Sequence, residues 1–300
     1  MKNAISVPFH KLHGLGNDFI ISGGARAPMG DRPGWLKKSP STAFLRRVAQ
    51  AICARHTGVG ADGFLCVLPA RSPENHARVR FFNADGSEAE ISGNGIRCAG
   101  EFLIEAEGRT SPLRIETRAG VKTLELVERG EPAWIFRVAM GRPVFAPDRI
   151  PFRGRKASPP VIGYMLETKT GKHRVTVTSM GNPHCSVFVR NFDQIDWPAV
   201  GRSIELHPAF PNRTNVEFVN VVSRREIEVR FWERGVGITA SSGTGSCGAA
   251  LASILNKLTE RNLRVRTVAG VLEVAWRENG EVSLTGPATK IAQGVFDLWR

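Results

Sequence analysis

The chain has 300 residues, 42% of them apolar, and a formal net charge of +13 at pH 7. This length allows one large domain or two of about 150 residues, and the apolar content is typical of a globular protein with a real core. With no run of about 18 apolar residues and no apolar signal segment in the first ten residues, the sequence predicts a cytoplasmic protein without a membrane partner.

Cysteine content and charge distribution exclude further classes. Five cysteines, none in a C-x-x-C spacing, argue against a disulfide framework and against a structural zinc site, so we expect no metal. The basic residues are scattered along the chain, and no aromatic-glycine RNA-binding motif is present. We therefore expect no nucleic-acid partner and interpret the positive charge as a basic surface that attracts an acidic substrate.

The first half of the chain predicts short strands around two helices. Phe9 to Ser22 is an apolar strand interrupted by the glycine-rich stretch 13–18, which predicts a bulge or tight turn beside a ligand. Residues 23–40 are expected to form an exposed loop, and Ser41 to cap a helix that ends near Ala54. Further strands are predicted at 64–68, 77–83, 113–117, 121–127 and 133–138.

The second half repeats this pattern after a boundary near residue 140. We expect a first lobe of residues 1–139, completed by a C-terminal strand at about 287–300, and a second lobe of residues 140–286. Residues 180–184 predict a turn, and 192–204 contain a helix. Strands are predicted at 173–179, 185–189, 214–222, 226–232, 263–268, 271–276 and 282–285. Two long helices among many short strands predict an α+β fold of two related lobes.

One tetrapeptide pattern occurs twice, 150 positions apart, and each copy opens an apolar helical stretch. The copies are Ser92-Gly93-Asn94-Gly95, with a helix to about Glu107, and Ser242-Gly243-Thr244-Gly245, with a helix to about Lys257. Free N–H groups and the positive dipole end at such a start can bind a carboxylate or phosphate. Either copy alone is explained by an ordinary serine N-cap. The recurrence favours one anionic group held between two lobes, with Ser92 and Ser242 on opposite sides.

Polar residues beside the irregular turns form a second group of candidates. Asparagines recur there, either as turn formers or as the lining of a pocket that binds an ammonium and a carboxylate; they are Asn17, Asn83, Asn94, Asn182 and Asn215. Glu233 and Arg234 form either a surface ion pair or a grip on a zwitterionic ligand. His184 is either a buried, satisfied histidine or a group that orients catalysis.

Six stretches resemble, in the family's order, the signature motifs of diaminopimelate epimerase. They are HGLGNDF (13–19), NADGSE (83–88), GNGIRC (93–98), GNPH (181–184), ERG (233–235) and GTG (243–245). The resemblance implies two pseudo-symmetric lobes, each a mixed or antiparallel, barrel-like β-sheet wrapped around a central helix. It implies epimerisation of LL- and meso-diaminopimelate, a small amino diacid of lysine and peptidoglycan precursor biosynthesis, by two-base proton transfer without PLP, another cofactor or a metal. It is compatible with a homodimer.

The resemblance also implies roles for the candidate residues. Ser92 and Ser242 stand at the two proton-transfer positions, with His184 and Glu233 near them. Glu233 is expected to meet the reacting ammonium, and the backbone at Gly93-Asn94 and Gly243-Thr244 the α-carboxylate. The distal amino-acid end is assigned to the remaining group, Asn17, Asn83, Asn182, Asn215 and Arg234.

The sequence departs from the family pattern at the reacting centre. The family has cysteine where Ser92 and Ser242 stand, usually glutamate where Ile238 stands, and in some members glutamine where Gly63 stands. Cys98 and Cys247 lie too far into the helices to take the missing thiols' place. A hydroxyl is far less acidic than a thiol and needs a neighbouring base. Two alternatives therefore remain: a divergent isomerase or lyase on the same scaffold, and a catalytically silent ligand-binding form with cysteine exchanged for serine.

Overall fold

A computed structural model describes residues 4–24, 40–155 and 157–299, so most of the loop expected at 23–40 lies outside the described residues. The chain divides into two compact units. The first comprises Met1–Val138 and Gly286–Arg300, and the second Ala139–Thr285. Among the described residues, no helix has the length and apolar character needed to cross a membrane.

The described residues contain four α-helices and seventeen strands. The helices are α1 (Thr42–Cys53), α2 (Gly93–Glu105), α3 (Trp197–Glu205) and α4 (Gly243–Leu255), with one 3-10 turn at Phe192–Gln194. The strands of the first half are β1 (Ile5–Gly14), β2 (Asn17–Gly23), β3 (Gly63–Leu68), β4 (Ala77–Asn83), β5 (Glu88–Ala89), β6 (Leu113–Thr117), β7 (Gly120–Arg129) and β8 (Trp134–Gly141). Those of the second half are β9 (Val161–Thr168), β10 (Gly171–Ser179), β11 (Pro183–Phe188), β12 (Asn215–Ser223), β13 (Glu226–Glu233), β14 (Gly237–Thr239), β15 (Asn262–Thr267), β16 (Gly270–Trp276) and β17 (Val282–Leu298).

The first unit is a mixed sheet built around α2. Strands β1 and β2 form an antiparallel hairpin whose two turn residues, Leu15 and Gly16, both have positive φ (53° and 78°), the geometry that matches the twist of a two-residue hairpin. Strand β2 runs parallel to β3, and β4 parallel to β6, while the other neighbours are antiparallel. Helix α2 is buried on every side from Gly93 to Leu103, as expected for a helix enclosed by a sheet.

The second unit repeats this arrangement around α4. Strand β11 runs parallel to β12 and β13 parallel to β15, the counterparts of the two parallel pairs in the first unit. Helix α4 is buried along most of its length and contacts β10 to β13, β15 and β16. Each unit is thus a mixed sheet around a central helix, which confirms the predicted fold class.

Besides the short strands β5 and β14, which were not predicted, three elements differ from the prediction. The strand at Val161–Thr168 was not predicted, because few of its residues are buried and Gly163, at φ 62°, interrupts the alternation. His184 lies in β11 and not in a turn, since Pro183 and His184 already pair with β10; proline is tolerated at a strand's first residue. The two separate C-terminal strands that were expected are one continuous strand, Val282–Leu298.

Candidate active site

Helix α2 begins at a capped, glycine-rich turn. Ser92 has extended backbone dihedrals, and its Oγ accepts a hydrogen bond from the Gly95 N–H at 3.1 Å, which satisfies one of the free donors of the helix start. A Cβ at Gly95 would lie 3.1 Å from the Phe81 ring, so a side chain there would require the ring to shift. Ser92 therefore acts as an N-cap whose hydroxyl hydrogen remains available.

Four hydrogen bonds donated by side chains lie beside this turn. The buried Arg97 donates from Nη2 to Asn94 Oδ1 at 2.7 Å and from Nη1 to Gly93 O at 2.9 Å. Asn94 Nδ2 donates to Asn17 Oδ1 at 3.2 Å, and Asn17 Nδ2 donates to Asp62 Oδ2 at 2.8 Å. Since an amide group has two donor hydrogens and two acceptor lone pairs, Asn17 and Asn94 each have one donor and one acceptor left beyond these contacts.

The carboxylate that accepts a hydrogen bond from Asn17 belongs to a group of ion-paired residues. Asp62 pairs with Arg55 at 2.7 Å, and Asp18 pairs with Lys11 at 3.1 Å and with Arg55 at 3.3 Å. Burial alone would raise the pKa of Asp18, but the hydrogen bonds from Lys11 and from the Asp62 N–H, with the charges of Lys11 and Arg55, outweigh burial and lower it. The group therefore stays ionised at neutral pH.

Asn83 ends β4, opposite Gly63 of β3. Its Nδ2 donates to Ser87 Oγ at 2.8 Å, and its backbone N–H donates to the Ser87 carbonyl at 2.9 Å. Asp85 closes the same turn by accepting from the Ser87 N–H at 2.8 Å. The Asn83 side chain thus serves as a turn former, as the simpler interpretation of the sequence expects, and is exposed.

Helix α4 begins with the same construction. Ser242 accepts from the Gly245 N–H at 3.2 Å and is 8% exposed. A Cβ at Gly245 would lie 2.9 Å from the Phe231 ring. Asn182 Nδ2 donates to Thr244 Oγ1 at 3.3 Å, as Asn94 and Asn17 are joined at the other helix start.

A buried histidine–glutamate pair lies beside this second turn. His184 is fully buried; its Nε2 is 2.9 Å from Asn182 Oδ1, and its Nδ1 is 2.6 Å from Glu217 Oε1. Ser186 Oγ donates to Glu217 Oε2 at 3.3 Å. Burial raises the pKa of Glu217, and the facing His184 offsets part of that shift. Both ring nitrogens of His184 therefore have partners, and the His184–Glu217 contact is shielded from water, where a hydrogen bond is stronger than in solution.

Glu233 is the last residue of β13, and Arg234 follows it in the turn to β14. The Arg234 N–H donates to Asn215 Oδ1 at 3.0 Å, and its guanidinium Nη1 donates to Asn212 O at 3.1 Å. Asn215 is buried, and its Nδ2 donates to Pro183 O at 3.0 Å. Within the described part of the chain, the Glu233 carboxylate has no hydrogen-bond or ion-pair partner, so the surface ion pair with Arg234, one of the two alternatives from the sequence, is not formed.

The structure joins several candidates within each unit. Asn17 contacts Asn94, Asn182 contacts both Thr244 and His184, and Asn215 contacts Arg234. Ile238 is 59% exposed and pairs with Trp232 in the sheet. Sequence reasoning missed the residues behind these contacts, which are Asp62, Asp18, Arg55, Arg97 and Glu217.

The missed residues had only weak signals in the sequence. Glu217 is a lone acid in the run NVEFVN of an otherwise apolar strand, and Asp62 stands inside a glycine-rich turn. Either could have been noticed as a carboxylate at a position where the pattern predicts burial or a close backbone approach.

A sequence profile of diaminopimelate epimerase matches residues 9–146 and 176–291, which include both helix starts. The chain belongs to the diaminopimelate epimerase family. A curated relative of that name from Pelotomaculum thermopropionicum is 42% identical over 291 residues, covering 96% of this chain and 98% of the relative. A second, from Desulfitobacterium hafniense, is 40% identical over 291 residues, covering 95% and 96%.

Solved structures with lower identity share the fold of this family. A hydroxyproline epimerase from Agrobacterium vitis superposes with a TM-score of 0.69 at 16% identity, covering 100% of this chain and 95% of the other. A methylitaconate-delta-isomerase superposes with a TM-score of 0.62 at 14% identity, covering 99% and 96%. At such identities the likeness concerns the fold alone.

Proposed function

We propose that the protein is a PLP-independent isomerase that interconverts LL- and meso-diaminopimelate by two-base proton transfer. The observation that carries the proposal is the family match over nearly the whole chain, together with a helix start in each unit that offers free N–H groups to a carboxylate. A small amino diacid fits a set of candidates that combines amides, one guanidinium and one partner-free carboxylate.

The residues take the roles that the family resemblance implies. Ser92 and Ser242 flank the stereocentre, one taking the α-proton and the other delivering one. The backbone at Gly93-Asn94 and Gly243-Thr244 receives the α-carboxylate, because free helix N–H groups and the dipole favour an anion there. Glu233 meets the reacting ammonium, and its freedom from protein partners is consistent with that role.

The distal end of the substrate is assigned to the polar group around the turns. Arg234 grips the distal carboxylate, and the amides bind the rest of that end; these are Asn17, Asn83, Asn182 and Asn215. Asn17 retains one donor and one acceptor after its protein contacts, so it can bind an ammonium and a carboxylate oxygen together.

In this proposal the low acidity of the two serine hydroxyls limits the rate of proton transfer. A hydroxyl accepts a proton usefully only if a neighbouring base activates it, and His184 or Glu233 would supply that help. Without such help, each exchanged thiol loses a general-base contribution of about 10²–10⁴. We therefore propose a slow enzyme relative to a thiol-containing member of the family.

A second candidate is a silent form that binds the amino diacid without turning it over. It is favoured by one observation: both serine hydroxyls already accept a helix N–H, so each has a structural task. We further propose, from the family assignment, a cytoplasmic homodimer in lysine and peptidoglycan precursor biosynthesis, which sedimentation analysis and complementation of an epimerase-deficient strain would check.

Incubation with LL-diaminopimelate in deuterium oxide tests the proposal. We expect meso-diaminopimelate to form and deuterium to enter at the α-carbon, both measured by proton NMR and mass spectrometry. Binding without exchange would select the silent form, and turnover only of hydroxylated amino acids would select a divergent lyase. Neither binding nor exchange would remove all three.

A further inference from the structure

Glu205, the last residue of α3, is an acid that no sequence motif singles out. It is 5% exposed, and carboxylates are rarely buried to this extent unless their oxygens are paired. Its surroundings therefore show what the buried charge is for.

Both oxygens of Glu205 are occupied by donors from the β13–β14 region. Oε1 accepts from the Gly235 N–H at 2.9 Å, and Oε2 accepts from the Trp232 indole Nε1 at 2.8 Å. Arg213 Nη1 lies 3.5 Å from Oε1. Two of these three donors flank Glu233 and Arg234 in sequence, so the carboxylate holds the segment that carries both of those residues.

Side chains from other elements accept hydrogen bonds from two of the backbone N–H groups of the turn after β13. Gly235 and Gly237 both have positive φ (77° and 93°), a conformation that favours glycine. The Val236 N–H donates to the Glu233 carbonyl at 3.1 Å, whereas the Arg234 N–H is held by the Asn215 side chain and the Gly235 N–H by Glu205. Glu205 supplies the charge-assisted bond of the three, which is the stronger kind.

Helix α3 is held against β13 by close packing and by a capped start. A Cβ at Gly201 would lie 2.8 Å from Trp232 Cβ, so the helix already packs in direct contact with β13. The helix start is fixed by Asp196, whose Oδ1 accepts from the Ala199 N–H at 3.1 Å. The position of Glu205 is thus determined by packing on one side and capping on the other.

We propose that Glu205 is a positioning residue that fixes the Glu233–Arg234 turn in the geometry that receives the amino diacid. The inference rests on the proposed function, in which Arg234 and Glu233 bind that ligand, but Glu205 itself does not touch it. Without the carboxylate, the Gly235 N–H loses its acceptor and the turn relaxes, so affinity falls although every ligand-binding side chain remains.

Glu205→Met tests this, because methionine has a similar shape and no acceptor oxygen. Glu226→Met is the matched control. Glu226 is 7% exposed and lies at the other end of β13, where it pairs with Arg264 at 2.6 Å and with Arg266. Two readouts are compared for both variants: amide hydrogen exchange of Gly235 by NMR, and the dissociation constant for LL-diaminopimelate by calorimetry.

In Glu205→Met we expect Gly235 exchange at least about tenfold faster and affinity about 10- to 100-fold weaker. We expect neither change in Glu226→Met, although both variants lose thermal stability. Glu205→Gln keeps one acceptor oxygen, so its affinity should fall only about threefold to tenfold; it carries the test if the methionine variant does not fold.

Unchanged Gly235 protection without the carboxylate, or an equal affinity loss in Glu226→Met, would overturn the proposal. If the unmodified protein binds no diaminopimelate, the proposed function fails, while the exchange of Gly235 still decides whether Glu205 holds the turn.

Discussion

The start of α2 in the first unit and the start of α4 in the second are built in the same way. Each has a serine cap bonded to the N–H three residues on, at 3.1 Å and 3.2 Å. In each, an asparagine at or just before the start of a neighbouring strand bonds the residue between the two glycines: Asn17 with Asn94, and Asn182 with Thr244. We call this shared arrangement of serine cap and asparagine contact the frame; it accompanies the strand pairing that is repeated in both units.

The groups behind the two asparagines differ. Asn17 is held by Asp62, a carboxylate paired with Arg55, whereas Asn182 bonds to His184, which faces the buried Glu217. An Asp62–Arg55 ion pair lies behind the first asparagine, and a buried His184–Glu217 contact lies behind the second. The two helix starts therefore share one frame but rest on different charged groups.

The largest expected effect comes from returning thiols to the two helix starts. Ser92→Cys and Ser242→Cys together should raise the turnover of LL-diaminopimelate, by about 10²–10⁴ for each group, because a thiol at a helix N-terminus ionises readily. The two single variants compare the units, because the variant at the position where proton transfer is slower should show the larger gain in turnover.

Ser41→Cys is the matched control for that experiment. Ser41 caps α1 by accepting from the Phe44 N–H at 3.2 Å, so its exchange changes a cap and no proposed proton-transfer group. We expect turnover to be unchanged. Equal turnover in the double variant and the unmodified protein would contradict the assignment of positions 92 and 242 to proton transfer.

Local sequence patterns predicted the serine caps, whereas long-range strand pairing determined which side chains surround them. The Ser41, Ser92 and Ser242 caps each depend on four consecutive residues, so the sequence was sufficient to find them. Glu217 reaches His184 only because β12 lies parallel to β11, with Asn215 beside His184. That register comes from tertiary packing, which no local pattern of a single sequence contains.

Glu205 and Asp62 were out of reach of the sequence for the same reason. Asp62 meets Asn17 across 45 positions and Glu205 meets Gly235 across 30. Both are single acids whose spacing carries no period, and their partners are an amide side chain and a backbone N–H. Only the tertiary fold brings such pairs together.

The second effect in size is on the pH dependence of stability, with opposite signs in the two units. The pKa of Glu217 is raised from 4.5, so its contribution to the free energy of unfolding is full below about pH 4.5 and lost as pH rises through the folded pKa. The pKa of Asp18 is lowered from 3.8, so its contribution is present above pH 3.8 and lost as pH falls through the folded pKa.

Glu217→Gln and Asp18→Asn separate these two limbs. Urea unfolding across the pH range should show the alkaline-side loss flattened only in Glu217→Gln and the acid-side loss flattened only in Asp18→Asn. Each pKa unit removed corresponds to about 1.4 kcal/mol of unfolding free energy. The same flattening in both variants would mean that the two helix starts do not differ in the way their surroundings indicate.

The smallest effect tests how far the fixed charges of the first unit serve binding. Asp62→Asn removes the charged acceptor of Asn17 Nδ2 and should weaken LL-diaminopimelate binding about tenfold, as expected for one hydrogen bond to a charged group. Glu116→Gln is the control, because Glu116 also anchors a turn of the same unit, accepting from the Arg71 and Ser72 N–H groups. Calorimetry should show a changed dissociation constant only for Asp62→Asn. An equal loss in Glu116→Gln would mean that stability of the unit, and not the orientation of Asn17, controls affinity.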